Sequence, residues 1–184
     1  LHFPEVTLVG VLNSDSSLNI PDFRSTEYTF QLLVQVAGRS GRGALSGEVL
    51  IQTYTPQHPI IELAAKQNYE AFFEEEVGNR ELFDYPPYSK IVRFLMRGPC
   101  PKLVYHHIQQ LRQVLIGSLC SKYEIQPVIE CGYAKIKDQH RFQFLVKGPT
   151  TSLVTRHTQD FQINHSLPSS LRLFVDPDPT TTYF

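Results

Sequence analysis

The stretch Val6-Thr7-Leu8-Val9-Gly10-Val11-Leu12-Asn13-Ser14-Asp15-Ser16-Ser17 passes from an apolar, β-branched run into a polar loop. A run apolar at nearly every position predicts a strand covered on both faces, as in parallel sheets. Open α/β sheets place ligands past the carboxyl ends of such strands, where this loop falls. Asp15 is thus a candidate for a sugar hydroxyl and Ser16 and Ser17 for phosphate; the same residues also suit an Asx or Ser turn without a ligand.

Working outward, Ser25 and Thr26 are candidate N-caps and the spacing predicts a helix from Thr26 to Gly38, with Tyr28, Leu32 and Val36 as its buried stripe. Gln31, Gln35 and Arg39 follow on another face, and Arg42 comes one short step later. Gly38, Gly41 and Gly43 interrupt the helix around these arginines. That arrangement suits either a helix end with arginines on its carbonyls or two planar guanidinium forks converging on one polyanion. A second strand is expected over Glu48 to Thr53, then a long helix from Ile60 to Val77 whose Glu74-Glu75-Glu76 run suits a solvated face or a contact with the basic second half.

The pair Pro86-Pro87 disfavours helix on both sides and marks a boundary. Charge divides there as well. Leu1 to Pro87 holds 5 Lys+Arg against 12 Asp+Glu, net −7, whereas Tyr88 to Phe184 holds 12 against 6, net +6. Only the second half could neutralise phosphates broadly; the plainer reading is that its surplus charge keeps it soluble. Its pattern reads strand, helix, strand, strand, helix, strand (Lys90–Met96, Pro101–Leu119, Gln126–Ile136, Arg141–Lys147, Thr151–Ile163, Leu171–Val175). This βαββαβ order predicts an α+β, ferredoxin-like sheet with two helices on one face. Alternation along Arg141 to Lys147 places Phe142, Phe144 and Val146 on one face and Arg141, Gln143 and Lys147 on the other; covered by the helices, the phenylalanines are core, whereas an open aromatic face could stack bases. Lys135, Lys137, Arg141 and Lys147 are the candidate phosphate contacts.

The 184 residues, 41% hydrophobic and 19% charged, form an ordinary globular composition without a transmembrane run or secretion signal. Cys100, Cys120 and Cys131 are odd in number and lack metal-ligand spacing, which suits a reducing cytoplasm and indicates neither disulfides nor a metal site. The opening leads straight into an apolar run and Met96 is the only methionine, so the chain reads as the tail of a longer protein.

Gln35-Val36-Ala37-Gly38-Arg39-Ser40-Gly41-Arg42-Gly43 resembles motif VI of superfamily-two helicases, and Val9-Gly10-Val11-Leu12-Asn13-Ser14-Asp15 resembles their motif V. With Ile20-Pro21-Asp22-Phe23-Arg24-Ser25 between them and Gly47 to Thr53 after, the passage is similar to the end of the second motor lobe of the primosomal replication-restart helicase (PriA) family. The similarity extends through Tyr85-Pro86-Pro87-Tyr88 and Tyr133-Ala134-Lys135-Ile136 to Val175-Asp176-Pro177-Asp178-Pro179, where Pro177 departs from the family's usual Asp-Val-Asp-Pro ending.

The resemblance implies an α/β fold in three parts. These are the end of a RecA-like helicase lobe 2 (1–57, parallel strands with helices), a connecting helix and Pro-Pro linker (58–87), and the α+β C-terminal domain (88–184). It also implies an ATP-dependent 3'-to-5' DNA helicase of bacterial, nucleoid-associated, cytoplasmic location. ATP and Mg2+ would be held mainly by chain outside these residues, and zinc at cysteines upstream of them. Arg39 and Arg42 would be catalytic arginine fingers on the γ-phosphate, with Gln35, Gly38 and Asp15 on the nucleotide side and Ser16 and Ser17 toward DNA. Implied partners are forked and single-stranded DNA, single-strand-binding protein and primosome proteins, with no membrane. No Gly-x-x-x-x-Gly-Lys-Ser/Thr loop and no Asp-Glu-x-His box occurs in the sequence, so the fragment alone is expected to bind neither ATP nor metal and not to hydrolyse ATP. The alternative for the isolated chain is a non-enzymatic nucleic-acid- or protein-binding module that braces the motor.

Overall fold

The structure is a computed structural model that describes residues 6–38 and 47–183. The chain divides into two compact units, Leu1–Asn79 and Arg80–Phe184, within an α/β architecture of mixed sheets and helices.

In the first unit, β1 (Leu8–Val11) pairs in parallel with β2 (Glu48–Ile51), Leu8 opposite Glu48 and Val11 opposite Ile51. Parallel partners need a crossover, which here contains the short helix α1 (Asp15–Leu18) and the longer α2 (Ser25–Ala37). The expectation of a strand covered on both faces is not met, because exposed and half-buried residues alternate along both strands. Nor is the expected stripe on α2. Tyr28 and Leu32 are each 46% exposed, and Phe30 and Leu33 are buried instead. The reason is tertiary: the Phe30 ring stacks on Phe72, centroids 4.0 Å apart, in a core with Ile60, Ile61 and Ala64.

The single long helix expected over Ile60 to Val77 is two, α3 (Pro59–Ala65) and α4 (Tyr69–Leu82). Gln67 adopts φ 51°, a left-handed conformation that ends α3, and the Asn68 side chain accepts from the Ala71 amide to start α4. Glu76 does not belong to a solvated face; it is buried and accepts a 2.7 Å hydrogen bond from Thr26 Oγ1.

The second unit is a five-stranded antiparallel sheet. Strands β3 (Lys90–Gly98), β4 (Glu124–Ile125), β6 (Gln139–Gly148) and β7 (Arg172–Pro177) lie in the order β4-β6-β3-β7, and β5 (Ile129–Ile136) also pairs β6. The strand expected over Gln126–Ile136 begins only at Ile129, as β5, and the short β4 precedes the expected range; Pro127, between the two, lacks the N–H a continuous ladder would need. Helices α5 (Pro101–Ser118) and α6 (Ser152–Asn164) bury Val104, Ile108, Leu111, Leu115, Val154 and Phe161 against Val92, Phe94, Met96, Phe144 and Val146 of the sheet. Phe94 and Phe144 face each other across β3 and β6 and stack at 4.7 Å. Pleating therefore sends Arg93, Leu95 and Arg97 to the opposite, helix-free face.

Candidate functional site: a strand-end loop and a basic sheet face

At the carboxyl ends of β1 and β2, Asp15 opens α1 and its carboxylate binds the chain that follows β2. Oδ1 accepts from the hydroxyls of Thr53 (2.8 Å) and Thr55 (2.9 Å), and Oδ2 accepts from the Tyr54 amide (3.0 Å). Ser14 adds a hydroxyl bond to the Gln52 carbonyl at 3.0 Å. The Tyr54 amide and the Thr53 hydroxyl hold the Asp15 carboxyl below its ordinary value, with partial burial opposing and Thr55 assisting. Asp15 thus ties two strand ends together, a role the sequence reading did not assign it. Ser16 bonds the Asn13 carbonyl at 2.9 Å in a local turn, and Ser17 is half-buried. Gln35 is exposed on α2, and Gly38 caps that helix with an amide bond to the Val34 carbonyl. Arg39 and Arg42 lie outside the described residues.

The four expected phosphate contacts of the second unit differ in exposure and pairing. Lys147 is on the helix-free face as alternation requires, but its side chain is only 7% exposed. Its ammonium contacts Glu124 (2.8 Å) and the Phe83 carbonyl (2.9 Å) beneath the Tyr85 ring (4.8 Å). Lys147 is therefore a structural cation and not an accessible phosphate contact; it binds the segment before β3 to the sheet. Lys135 is exposed and paired with Asp138 at 2.9 Å, which lowers the Asp138 pKa. Lys137 and Arg141 line two adjoining concavities of about 360 and 470 Å3 that share Arg97, Ile136 and Gln139.

Arg97, Arg172 and Phe174 also line these concavities, and the sequence reading missed them. Alternation on β3 and β7 would have put each on one face, but only the three-strand register shows that the faces coincide. The Arg97 guanidinium lies 5.1 Å from the Phe174 ring centroid. The other end of this face is covered by Phe83 and Tyr85 over Lys147, and Thr182 accepts from Gln143 Nε2 at 2.9 Å.

Residues 81–180 match the family model described as the primosomal protein N C-terminal domain. The chain belongs to this family. All of it aligns with the replication restart protein PriA of Chlamydia pneumoniae at 42% identity, covering 25% of that protein. PriA of Synechocystis sp. is 38% identical over 97% of this chain and 21% of its own, and PriA of Bacillus subtilis strain 168 is 40% identical over 80% and 18%. The chain spans about a quarter of the length of the chlamydial relatives it matches. Among the described residues no helix is long and apolar enough to cross a membrane.

Proposed function

We propose that the chain is the C-terminal part of an ATP-dependent 3'-to-5' DNA helicase acting in replication restart and primosome assembly in the bacterial cytoplasm. The observation that carries this reading is the extent of the PriA match: it runs through both units and not only the C-terminal family domain. The parallel β1–β2 pair with a helical crossover supports reading the first unit as the end of a RecA-like lobe. The order β7-β3-β6-β5 with two helices on one face supports a ferredoxin-like second unit.

In this reading Arg39 and Arg42 meet charge developing on the γ-phosphate of an ATP held, with Mg2+, by chain outside these residues. Gln35, exposed near the end of α2, and Gly38 fit the nucleotide side. Asp15, whose carboxylate is committed to Thr53, Tyr54 and Thr55, fits better as the organiser of that loop than as a direct ligand. Lacking a phosphate loop, the isolated chain does not hydrolyse ATP. Zinc belongs to upstream cysteines. Forked and single-stranded DNA, single-strand-binding protein and primosome proteins are the partners.

A second reading applies to the isolated chain: a DNA-binding module that uses the basic helix-free face of the second unit through phosphates. The concavities between Arg97, Arg141 and Arg172 favour it.

The test of the motor reading is polarity. Full-length protein with ATP should unwind a duplex carrying a 3' single-stranded tail; unwinding only from a 5' tail, or none with either, would overturn it.

A further inference from the structure

The strand register brings three arginines into one row. Arg97 on β3 lies opposite Arg141 on β6 and opposite Arg172 on β7, all on the helix-free face. Adjacent strands lie about 4.8 Å apart, and like charges directly opposite one another destabilise a sheet. Among the described residues none of the three pairs with a carboxylate. Arg141 and Arg172 donate only to backbone carbonyls, of Tyr133 and of Ser169 and Leu171. The next row across the same strands is Gln143, Leu95 and Phe174, and Phe174 remains 46% exposed beside a concavity of about 470 Å3.

We infer that this trough is a binding site for single-stranded nucleic acid, in which the Arg141-Arg97-Arg172 row takes successive phosphates and Phe174 stacks on a base. The inference rests on the DNA-binding reading above and gives it a place and a ligand class. A duplex keeps its base faces covered and offers Phe174 nothing to stack on; a single strand offers both faces and phosphates. Charge complementarity decides the occupant. Three guanidinium groups without carboxylate partners oppose one another until a polyanion enters, and a flat half-exposed ring beside them matches a base rather than an aliphatic side chain. Recognition is indifferent to sequence, since stacking and phosphate contacts carry no base-edge readout.

The test is fluorescence anisotropy of a labelled oligothymidylate of about 12 nucleotides with the 184-residue chain, across about 50 to 200 mM salt. Phe174→Ala should weaken binding about 10-fold and Phe174→Tyr should restore it. Replacing Arg97 and Arg172 together by Gln should flatten the log–log salt slope by about 1.4, two phosphates' worth for a single strand. Should Phe174→Ala fail to fold by circular dichroism, Phe174→Leu keeps apolar volume without the aromatic face and must show the same loss. Wild-type binding that all these variants retain would overturn the trough while leaving DNA binding elsewhere on the unit intact. No wild-type binding even at low salt would overturn the DNA-binding reading itself. Equal affinity for an abasic strand would refute stacking, and capture of a Glu-rich peptide without the oligonucleotide would make the ligand an acidic protein segment and overturn the proposal.

Discussion

The Lys147 ammonium lies 2.8 Å from the Glu124 carboxylate, with only 7% of its side chain exposed. Although partial burial works against the charge, hydrogen bonds from Lys147 and Gln126 hold the Glu124 carboxyl below its ordinary value. Removing the ammonium leaves the Phe83 carbonyl without its 2.9 Å donor. Lys147→Met should therefore lower stability by about 2 kcal/mol, read as a lower urea midpoint, with oligonucleotide affinity unchanged. Lost DNA affinity at unchanged stability would return Lys147 to the phosphate contacts.

Asp15 predicts a pH dependence. A carboxyl depressed in the folded state stabilises above its unfolded pKa, and that contribution disappears as pH falls through the still lower folded pKa. Since Asp15 lies below the ordinary 3.8, the effect is complete at neutral pH and lost only in strong acid. Asp15→Asn with its amide oxygen at the Oδ1 position keeps the acceptor for both threonine hydroxyls but sets an amide N–H against that of Tyr54. The variant should melt lower than wild type at pH 7, and the two melting curves should converge as the pH drops below about 4. A constant difference across that range would contradict the assignment.

The stacked pair Phe94 and Phe144 anchors the second unit's core, both rings essentially without exposure. Phe144→Ala should cost about 3–5 kcal/mol, measured by chemical denaturation. A loss below about 1 kcal/mol would mean that the cavity collapses far more completely than a stacked core allows.

Gly132 seats the C-terminal segment. Its amide donates to the Tyr183 carbonyl at 3.3 Å, and a Cβ at this position would collide with the Tyr183 ring. Gly132→Val should displace the segment, remove the Thr182 carbonyl from Gln143, and speed release of the last residues by carboxypeptidase. Unchanged digestion would show that the segment is held by other contacts.

Much of the second unit is legible in the sequence because α5 and α6 carry apolar stripes, β3 is a largely apolar run, and Arg141 to Lys147 on β6 alternates. The first unit is less so. Helical periodicity allows either Tyr28 and Leu32 or Phe30 and Leu33 to face inward, and only the partner ring of Phe72 decides. The break between α3 and α4 carries no Gly or Pro; a left-handed Gln67 makes it. Alternation correctly placed Lys147 on the helix-free face, but its cover comes from Phe83 and Tyr85, distant in sequence. The arginine row depends on the register of three strands, which no single segment contains.

In the proposed motor Arg39 and Arg42 act on a nucleotide held by the other lobe, and DNA-stimulated ATP hydrolysis by full-length protein measures that role. With both arginines replaced by alanine, turnover should fall about 1,000-fold or more, while affinity for forked DNA stays close to wild type. Turnover that survives the double replacement would contradict the account.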